Sequence, residues 1–404
     1  MGPLSGIRVI DFSRAIAGPY GSMILGDLGA EIIKIETPEG DFSRISAGPN
    51  HKGENFYYLA FNRNKKDMVL DLLIKSGKEA FYDLVKVSDI VWNNFRAGSM
   101  ERLGADYDTL RRINPGIIYC SITGYGSSGP SMDRPAYDIA VLAASGIVSV
   151  TGEPDGRPVR PGVPIADEAG GLFAVIGVLA ALAERQRTGK GKKVDISLMD
   201  ACISLLSYPL SYYFTTGVVP RPLGNSGHPI LVPYGIYKTK KGYIALGVCW
   251  PRITRAIGAD WLADDPRFKD LQARLAHRDE LNAIVEERLA EAEADDWMEL
   301  LKIEDISAAK VATLDEVAVD PQVIHQKMIL TMEHSLGGEV KLAGNPVKIE
   351  GVLEWEYTPP PNLNQHQHEI LSGLLGYSDE KIRRLNKDAE KNTARRLQHI
   401  QKVF

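Results

Sequence analysis

The chain has 404 residues, and at ~100–200 residues per domain this length predicts two to three domains. With 44% hydrophobic and 25% charged residues its composition is that of a globular protein, which excludes a disordered or fibrous chain. Lys and Arg number 47 against 52 Asp and Glu, so the net charge of −5 argues against nucleic acid as the main partner and leaves room for a local basic patch around a phosphorylated ligand.

Ile7 to Phe12 reads as a strand. It is followed by the Gly18-Pro19 turn, a helix from Tyr20 to Leu28 closed by Gly29, and a second strand from Ile32 to Ile35. The rhythm continues with a strand over Met68 to Leu72, a helix opened by Ser76 and Glu79 at capping-box spacing, and strands at Ile90 to Trp92 and Ile117 to Ile122. Strands alternating with helices predict an α/β fold with a parallel sheet covered on both faces, a large doubly wound, Rossmann-like domain. A helix around Tyr137 to Ser145, a Pro/Gly-rich loop from Gly152 to Pro164 and an apolar helix from about Glu168 to Arg187 follow, then a strand from Val194 to Leu198 and another helix. Residues 1–205 are thus expected in the large domain, and 206–225 as a linker. Alternation of Tyr234 with Ile236, and of Ile244 with Leu246 and Val248, predicts antiparallel hairpins in a smaller α+β domain over 226–325. The remainder, 326–404, holds a Gly337-Gly338 hairpin signal, the Pro-rich stretch Pro359 to Pro361 and a helical tail with eight basic and two acidic residues from Lys381 to Phe404, the pattern of a solvated face.

Cys120, Cys202 and Cys249 are odd in number and far apart, which fits neither a disulfide framework nor zinc-ligand spacing and points to a reducing compartment. The opening MGPLSGIRVIDF has no apolar core of signal-peptide length, and Gly6 stands where a myristoylation signal needs Ser or Thr. The longest apolar run, Leu172 to Ala183, covers 12 residues against the ~20 that cross a bilayer. A cytoplasmic protein with no membrane partner is expected.

Gly124-Tyr-Gly-Ser-Ser-Gly129 matches G-x-G-x-x-G after a strand, but Pro130, Ser131 and Pro135 continue the loop where a phosphate-binding motif needs a helix start. It is expected to be a loop at the carboxyl end of a strand, where open α/β sheets bind ligands. His366-x-His368-Glu369 has no partner cluster with metal-ligand spacing and reads as a helix start, so no metal is expected. Ser226 and His228 lack a third orienting group and make no triad. Asp167-Glu168 with Gly170-Gly171 opens the apolar helix. Asp167 is either the N-cap of that helix, or a reactive carboxylate with glycines that let a bulky ligand approach and helix-start amides that stabilise negative charge, and both roles are compatible. Arg14, Arg44, Lys65, Lys66, Arg96, Arg102 and Arg134 fall in loops or at element ends; singly they are surface residues, and together they suit a ligand with several phosphates.

Several stretches in order, among them Leu4-x-Gly6-x-Arg8-Val-x-Asp11-Phe12, Ala17-Gly18-Pro19, Phe61-Asn-Arg-Asn-Lys-Lys66, Asn94-Phe95, Tyr137-Asp138, Ala166-Asp167, Thr188-Gly-Lys-Gly191 and Gly344-Asn-Pro346, resemble the class III CoA-transferases, the family of formyl-CoA transferase and carnitine CoA-transferase. The resemblance covers essentially the whole chain. It implies that Asp167 is the catalytic nucleophile, that Ile16, Ala17, Leu70, Leu72, Asn94, Phe95, Arg96 and Arg102 line a coenzyme A site, and that Arg134 and Tyr137 lie nearby. It also implies CoA as a substrate with no permanently bound cofactor, an acyl-CoA donor, a carboxylic acid acceptor, and an interlocked homodimer whose large domain combines residues 1–205 with 326–404. Ile16 replaces a glutamine of formyl-CoA transferase, and Thr37 an arginine that contacts CoA there. The alternatives are an α-methylacyl-CoA racemase, which has histidine at the position of Tyr137, and a CoA-binding protein without turnover. Tyrosine, with a pKa near ~10, is a poor base at neutral pH and favours transfer over racemisation.

Overall fold

The computed structural model describes residues 2–46, 48–51, 53–350 and 357–403. The first part of the chain supplies β1 (Arg8–Asp11), α1 (Ala17–Asp27), β2 (Glu31–Glu36), α2 (Phe42–Ile45), the short pair β3 (Asn50–His51) and β4 (Glu54–Asn55), α3 (Phe56–Leu59), β5 (Lys65–Val69), α4 (Lys75–Lys86), β6 (Ile90–Asn93), α5 (Ser99–Leu103), α6 (Tyr107–Ile113), β7 (Ile118–Thr123) and α7 (Asp138–Ser145). After these come α8 (Ile165–Thr188), β8 (Lys193–Ser197), α9 (Leu198–Leu205), α10 (Ser207–Thr216), β9 (Gly235–Lys238), β10 (Tyr243–Leu246), α11 (Arg252–Ala256), α12 (Leu271–Ala276), α13 (Arg278–Leu289), α14 (Ala294–Ile303) and β11 (Ala308–Lys310). The chain closes with α15 (Leu314–Val319), α16 (Pro321–His325), β12 (Ile329–His334), β13 (Gly338–Ala343) and α17 (Asp379–Val403).

Six strands form a parallel sheet in the order β5-β2-β1-β6-β7-β8. Ile10 lies between Ile33 of β2 and Val91 of β6, and every residue of β7 is buried, as a strand covered on both faces requires. The chain winds outward from β1 to β2 and β5, returns to β6 beside β1, and winds the other way to β7 and β8. The carboxyl ends of β1 and β6 therefore flank the switch point where such sheets open a crevice.

Two compact units result: Met1–Ser145 with Gly162–Ser207 and His325–Phe404, and Gly146–Pro161 with Tyr208–Ile324. Two expectations change. Residues 146–161 group with the second unit rather than with the segment 1–205, since Gly146 at φ 93° turns the chain out of α7 and a Pro/Gly-rich stretch follows. Residues 206–225, expected as a linker, carry α10, whose only proline lies in its first turn, where it is tolerated. In the first unit, Ile10, Ile33, Met68, Phe81 and Val91 share a core with Ile370, Leu371, Ile382 and Leu385 of the C-terminal segment. The second unit has its own antiparallel sheet, β11-β10-β9, over a core that includes Tyr237, Ile244, Phe268, Leu281 and Trp297.

Other boundaries move for identifiable reasons. β5 begins at Lys65, three residues before the expected strand, and α4 starts at Lys75 with no side-chain cap, because the apolar Ile74 holds the N-cap position; Ser76 lies within the helix and its hydroxyl donates to Asp388 of α17. α8 runs 24 residues from Ile165, longer than the apolar run in the sequence. By length and composition it is the one helix among the described residues apolar enough to cross a membrane, and here it packs on α1, α7, α9, β7 and β8.

Candidate active site

The loop after β1 is fixed first. Ala15 takes φ 62°, and the Asn94 side chain at the end of β6 grips the loop twice: Oδ1 accepts from the Arg14 amide at 2.9 Å and Nδ2 donates to the Arg14 carbonyl at 2.8 Å. The Arg14 guanidinium lies 5.2 Å from the centre of the Phe95 ring, close enough for a cation–π contact. These two loops, the loop after β7 and the start of α8 enclose a cavity of about 350 Å³ at the switch point. Arg14, Ile16, Ala17, Asn94, Phe95, Arg96, Arg134, Tyr137 and Asp167 line it, together with Phe42 and Thr123.

Seven of the ten residues expected in or near the CoA site thus meet Asp167 in one place: Ile16, Ala17, Asn94, Phe95, Arg96, Arg134 and Tyr137 border the same space. Leu70 and Leu72 do not; at 3% and 6% exposure they are packed in the core. Arg102 is exposed in the last turn of α5, where Nη2 donates to Ser99 Oγ at 2.9 Å, and it is not a lining residue. Of the seven basic residues singled out in the sequence, Arg14, Arg96 and Arg134 face the cavity. Arg44, Lys65 and Lys66 are committed elsewhere. Arg44 stacks 3.6 Å from the Tyr58 ring centre and pairs with Glu36 at 2.9 Å, Lys65 pairs with buried Asp11 at 3.2 Å, and Lys66 bridges Glu31 and Glu369 at 2.8 and 2.7 Å.

Asp167 is not the N-cap. Pro164 holds that position and has no polar side-chain group to offer, so Asp138 caps α8 from outside: its Oδ1 accepts from the Ala166 amide at 2.9 Å. Asp167 sits in the first helical turn and lines the cavity. Burial pushes its pKa from 3.8 up to about 7, and the Asp138 and Glu168 carboxylates reinforce the shift. Gly170 and Gly171 are buried and serve packing, not ligand access. A Cβ on Gly170 would lie 2.2 Å from Leu198 Cδ2, and one on Gly171 2.6 Å from the Ala17 carbonyl oxygen of α1.

The remaining motifs have local roles. The glycine loop after β7 opens no helix, and a Cβ on Gly124 would lie 2.0 Å from that of Ala136, so its glycine is needed where the loop folds back. His366 Nδ1 accepts from the Asp67 amide at 3.1 Å, and among the described residues no cluster of His, Cys, Asp and Glu could hold a metal. Phe42 and Thr123 were not anticipated. The Asp41-Phe-Ser43 start of α2 carried a signal for Phe42, since Asp41 caps it by accepting from Ser43 at 3.0 Å. A larger cavity of about 730 Å³ lies elsewhere in the same unit and takes Glu168 rather than Asp167. Its cations are already paired, Arg63 with Asp27 at 2.6 Å and Lys341 with Glu339 at 3.6 Å, so the smaller cavity is the better anion site.

Residues 4–367 match the family model described as CoA-transferase family III. The chain belongs to that family. It is 35% identical over 385 residues to human succinyl-CoA:glutarate CoA-transferase, covering 94% of this chain and 88% of the relative. It is 37% identical over 359 residues to acetyl-CoA:oxalate CoA-transferase of Acetobacter aceti, covering 87% and 90%. Among solved structures, a CAIB/BAIF family protein from Brucella suis superposes with a TM-score of 0.83 at 35% identity, covering 92% of this chain and 99% of that one. As a class III CoA-transferase, the enzyme moves CoA from an acyl-CoA thioester to a carboxylic acid.

Proposed function

We propose that Asp167 carries the CoA between the two acids, and that the acceptor is a short dicarboxylic acid. An ionised Asp167 oxygen attacks the donor thioester carbonyl, expelling CoA thiolate and leaving a mixed anhydride. The thiolate attacks the Asp167 carbonyl carbon, releases the donor acid and forms an aspartyl-CoA thioester. The acceptor carboxylate attacks that carbonyl in turn, and the thiolate then attacks the acceptor's acyl carbon, restoring Asp167. Each step exchanges acyl derivatives of high transfer potential, so no ATP is consumed, and water must be kept from the anhydride.

The observation that carries the reading is a half-buried carboxyl in the same cavity as three arginines, Arg14, Arg96 and Arg134, that form no ion pair among the described residues. These suit the phosphates of CoA or the second carboxylate of the acceptor. Exposed Arg102 is a further candidate for an outlying phosphate. The dicarboxylate class is supported by the relatives, whose names give glutarate and oxalate as substrates. A homodimer, interlocked as the family resemblance implies, is part of the same proposal. Its support is the apolar surface left exposed in the single chain, with Leu172 and Ile176 of α8 at 44% and 60%, Ile139 of α7 at 54% and Phe214 of α10 at 76%. The free thiols of buried Cys120, Cys202 and Cys249 support a reducing, cytoplasmic setting.

The test is chemical trapping. Protein given acyl-CoA and then hydroxylamine yields a hydroxamate at Asp167, read by mass spectrometry, while Asp167→Asn binds CoA but neither transfers acyl groups nor is labelled. Near-normal transfer by that variant overturns the mechanism. Rapid enzyme-dependent deuterium exchange at Cα of a 2-methylacyl-CoA would point to racemase chemistry instead.

A further inference from the structure

Four buried side-chain atoms among the described residues have no hydrogen-bond partner, and one of them is Thr123 Oγ1. The other three, on Ser43, His334 and Asn362, belong to residues that do not line the Asp167 cavity; Thr123 does. Thr123 is 7% exposed, the last residue of β7, at the carboxyl edge of the sheet. Its neighbour Ile122 touches the α8 turn that bears the nucleophile: a Cβ on Gly170 would lie 3.7 Å from Ile122 Cγ2, and Gly170 shares a helix face with Asp167 three residues before it. A buried hydroxyl left unpaired costs folding free energy, and such groups call for an explanation, of which a ligand contact is one.

We propose that the Thr123 hydroxyl donates a hydrogen bond to the oxyanion formed when Asp167 attacks the thioester. The inference rests on the reading of Asp167 as the acyl acceptor. As the Asp167 oxygen bonds to the carbonyl carbon, the carbonyl π pair moves onto its oxygen. The charge collects beside a carboxyl group and needs a donor. Thr123 Oγ1 keeps its proton throughout, and the pair returns as the thiolate leaves. The hydroxyl oxygen is itself closed to solvent and has no partner to surrender, so it turns toward the oxyanion without breaking a hydrogen bond.

Thr123→Val keeps the shape of the side chain and removes the hydroxyl. Its kcat for transfer is expected to fall by about 10–100-fold with the CoA dissociation constant unchanged, while the unliganded variant melts at the same temperature as wild type or higher. Thr123→Ser restores the donor and is expected to recover most of the lost kcat. An unchanged kcat in Thr123→Val, a loss confined to KM, or a failure of Thr123→Ser to recover activity while folded overturns the proposal. The two readings fail differently: absence of the Asp167 hydroxamate in wild-type protein refutes the acyl acceptor, whereas labelling of Thr123→Val at the wild-type rate refutes only the donor.

Discussion

At the scale of single residues, the centre of the site is a carboxyl group held at odds with its task. Asp167 attacks only when ionised, yet burial and two neighbouring carboxylates push its pKa up to about 7. Two consequences follow from the same shift. In activity, kcat/KM should drop about tenfold per pH unit below pH 7 as the nucleophile takes up a proton, a slope read directly from the pH profile. In stability, the folded state holds the Asp167 proton up to about pH 7 whereas the unfolded carboxyl releases it near 3.8, so the penalty is absent below that lower value, grows as pH rises towards 7 and is complete above it. Asn cannot ionise. Asp167→Asn should therefore be more stable than wild type by about 2–4 kcal/mol at pH 8, with the gain vanishing near pH 4, as measured by denaturant unfolding across that range.

At the scale of elements, the close contact of α1 with α8 sets the site, because one start carries Ala17 and the other Asp167. It depends on glycine. Gly21 and Gly171 face each other, and a Cβ on Gly171 would also approach the Gly21 nitrogen to 3.3 Å. Gly171→Ala meets backbone rather than a movable side chain, so it should cost about 1–3 kcal/mol in unfolding experiments and lower transfer activity by shifting Ala17 from the cavity wall. The strands β1, β2, β6 and β7 were legible because buried parallel strands write themselves as apolar, β-branched runs. The start of β5 was not, since Lys65, Lys66 and Asp67 resemble a polar turn. Their charges are met across the sheet, by Asp11, Glu31 and Arg44, and no local pattern announces partners so far along the chain. The same limit applies at the site. Ile16, Asn94, Arg96 and Asp167 were reachable through motif resemblance, but the cap from Asp138 to Ala166 joins residues 28 apart and exists only once α7 and α8 are side by side.

At the scale of the whole molecule, the proposed threaded dimer makes a kinetic prediction. Linked chains separate only by unfolding, so tagged and untagged protein mixed under native conditions should form no mixed dimers, and exchange within minutes at micromolar concentration would rule the threading out. The C-terminal segment has a consequence of a different kind. It closes the open edge of β5: the His366 amide donates to the Asp67 carbonyl at 2.8 Å, the Val69 amide donates to Asn364 Oδ1 at 2.8 Å, and Gln367 Nε2 donates to the Val69 carbonyl at 2.9 Å. Val69 and Asn364 are 295 residues apart. At a ribosomal rate of about 5–20 residues per second, roughly 15–60 s separate the appearance of the strand from that of its cover. Throughout that interval the nascent chain carries an uncapped sheet edge of the kind that pairs with other chains, an exposure that ends only when the C-terminal segment has been made.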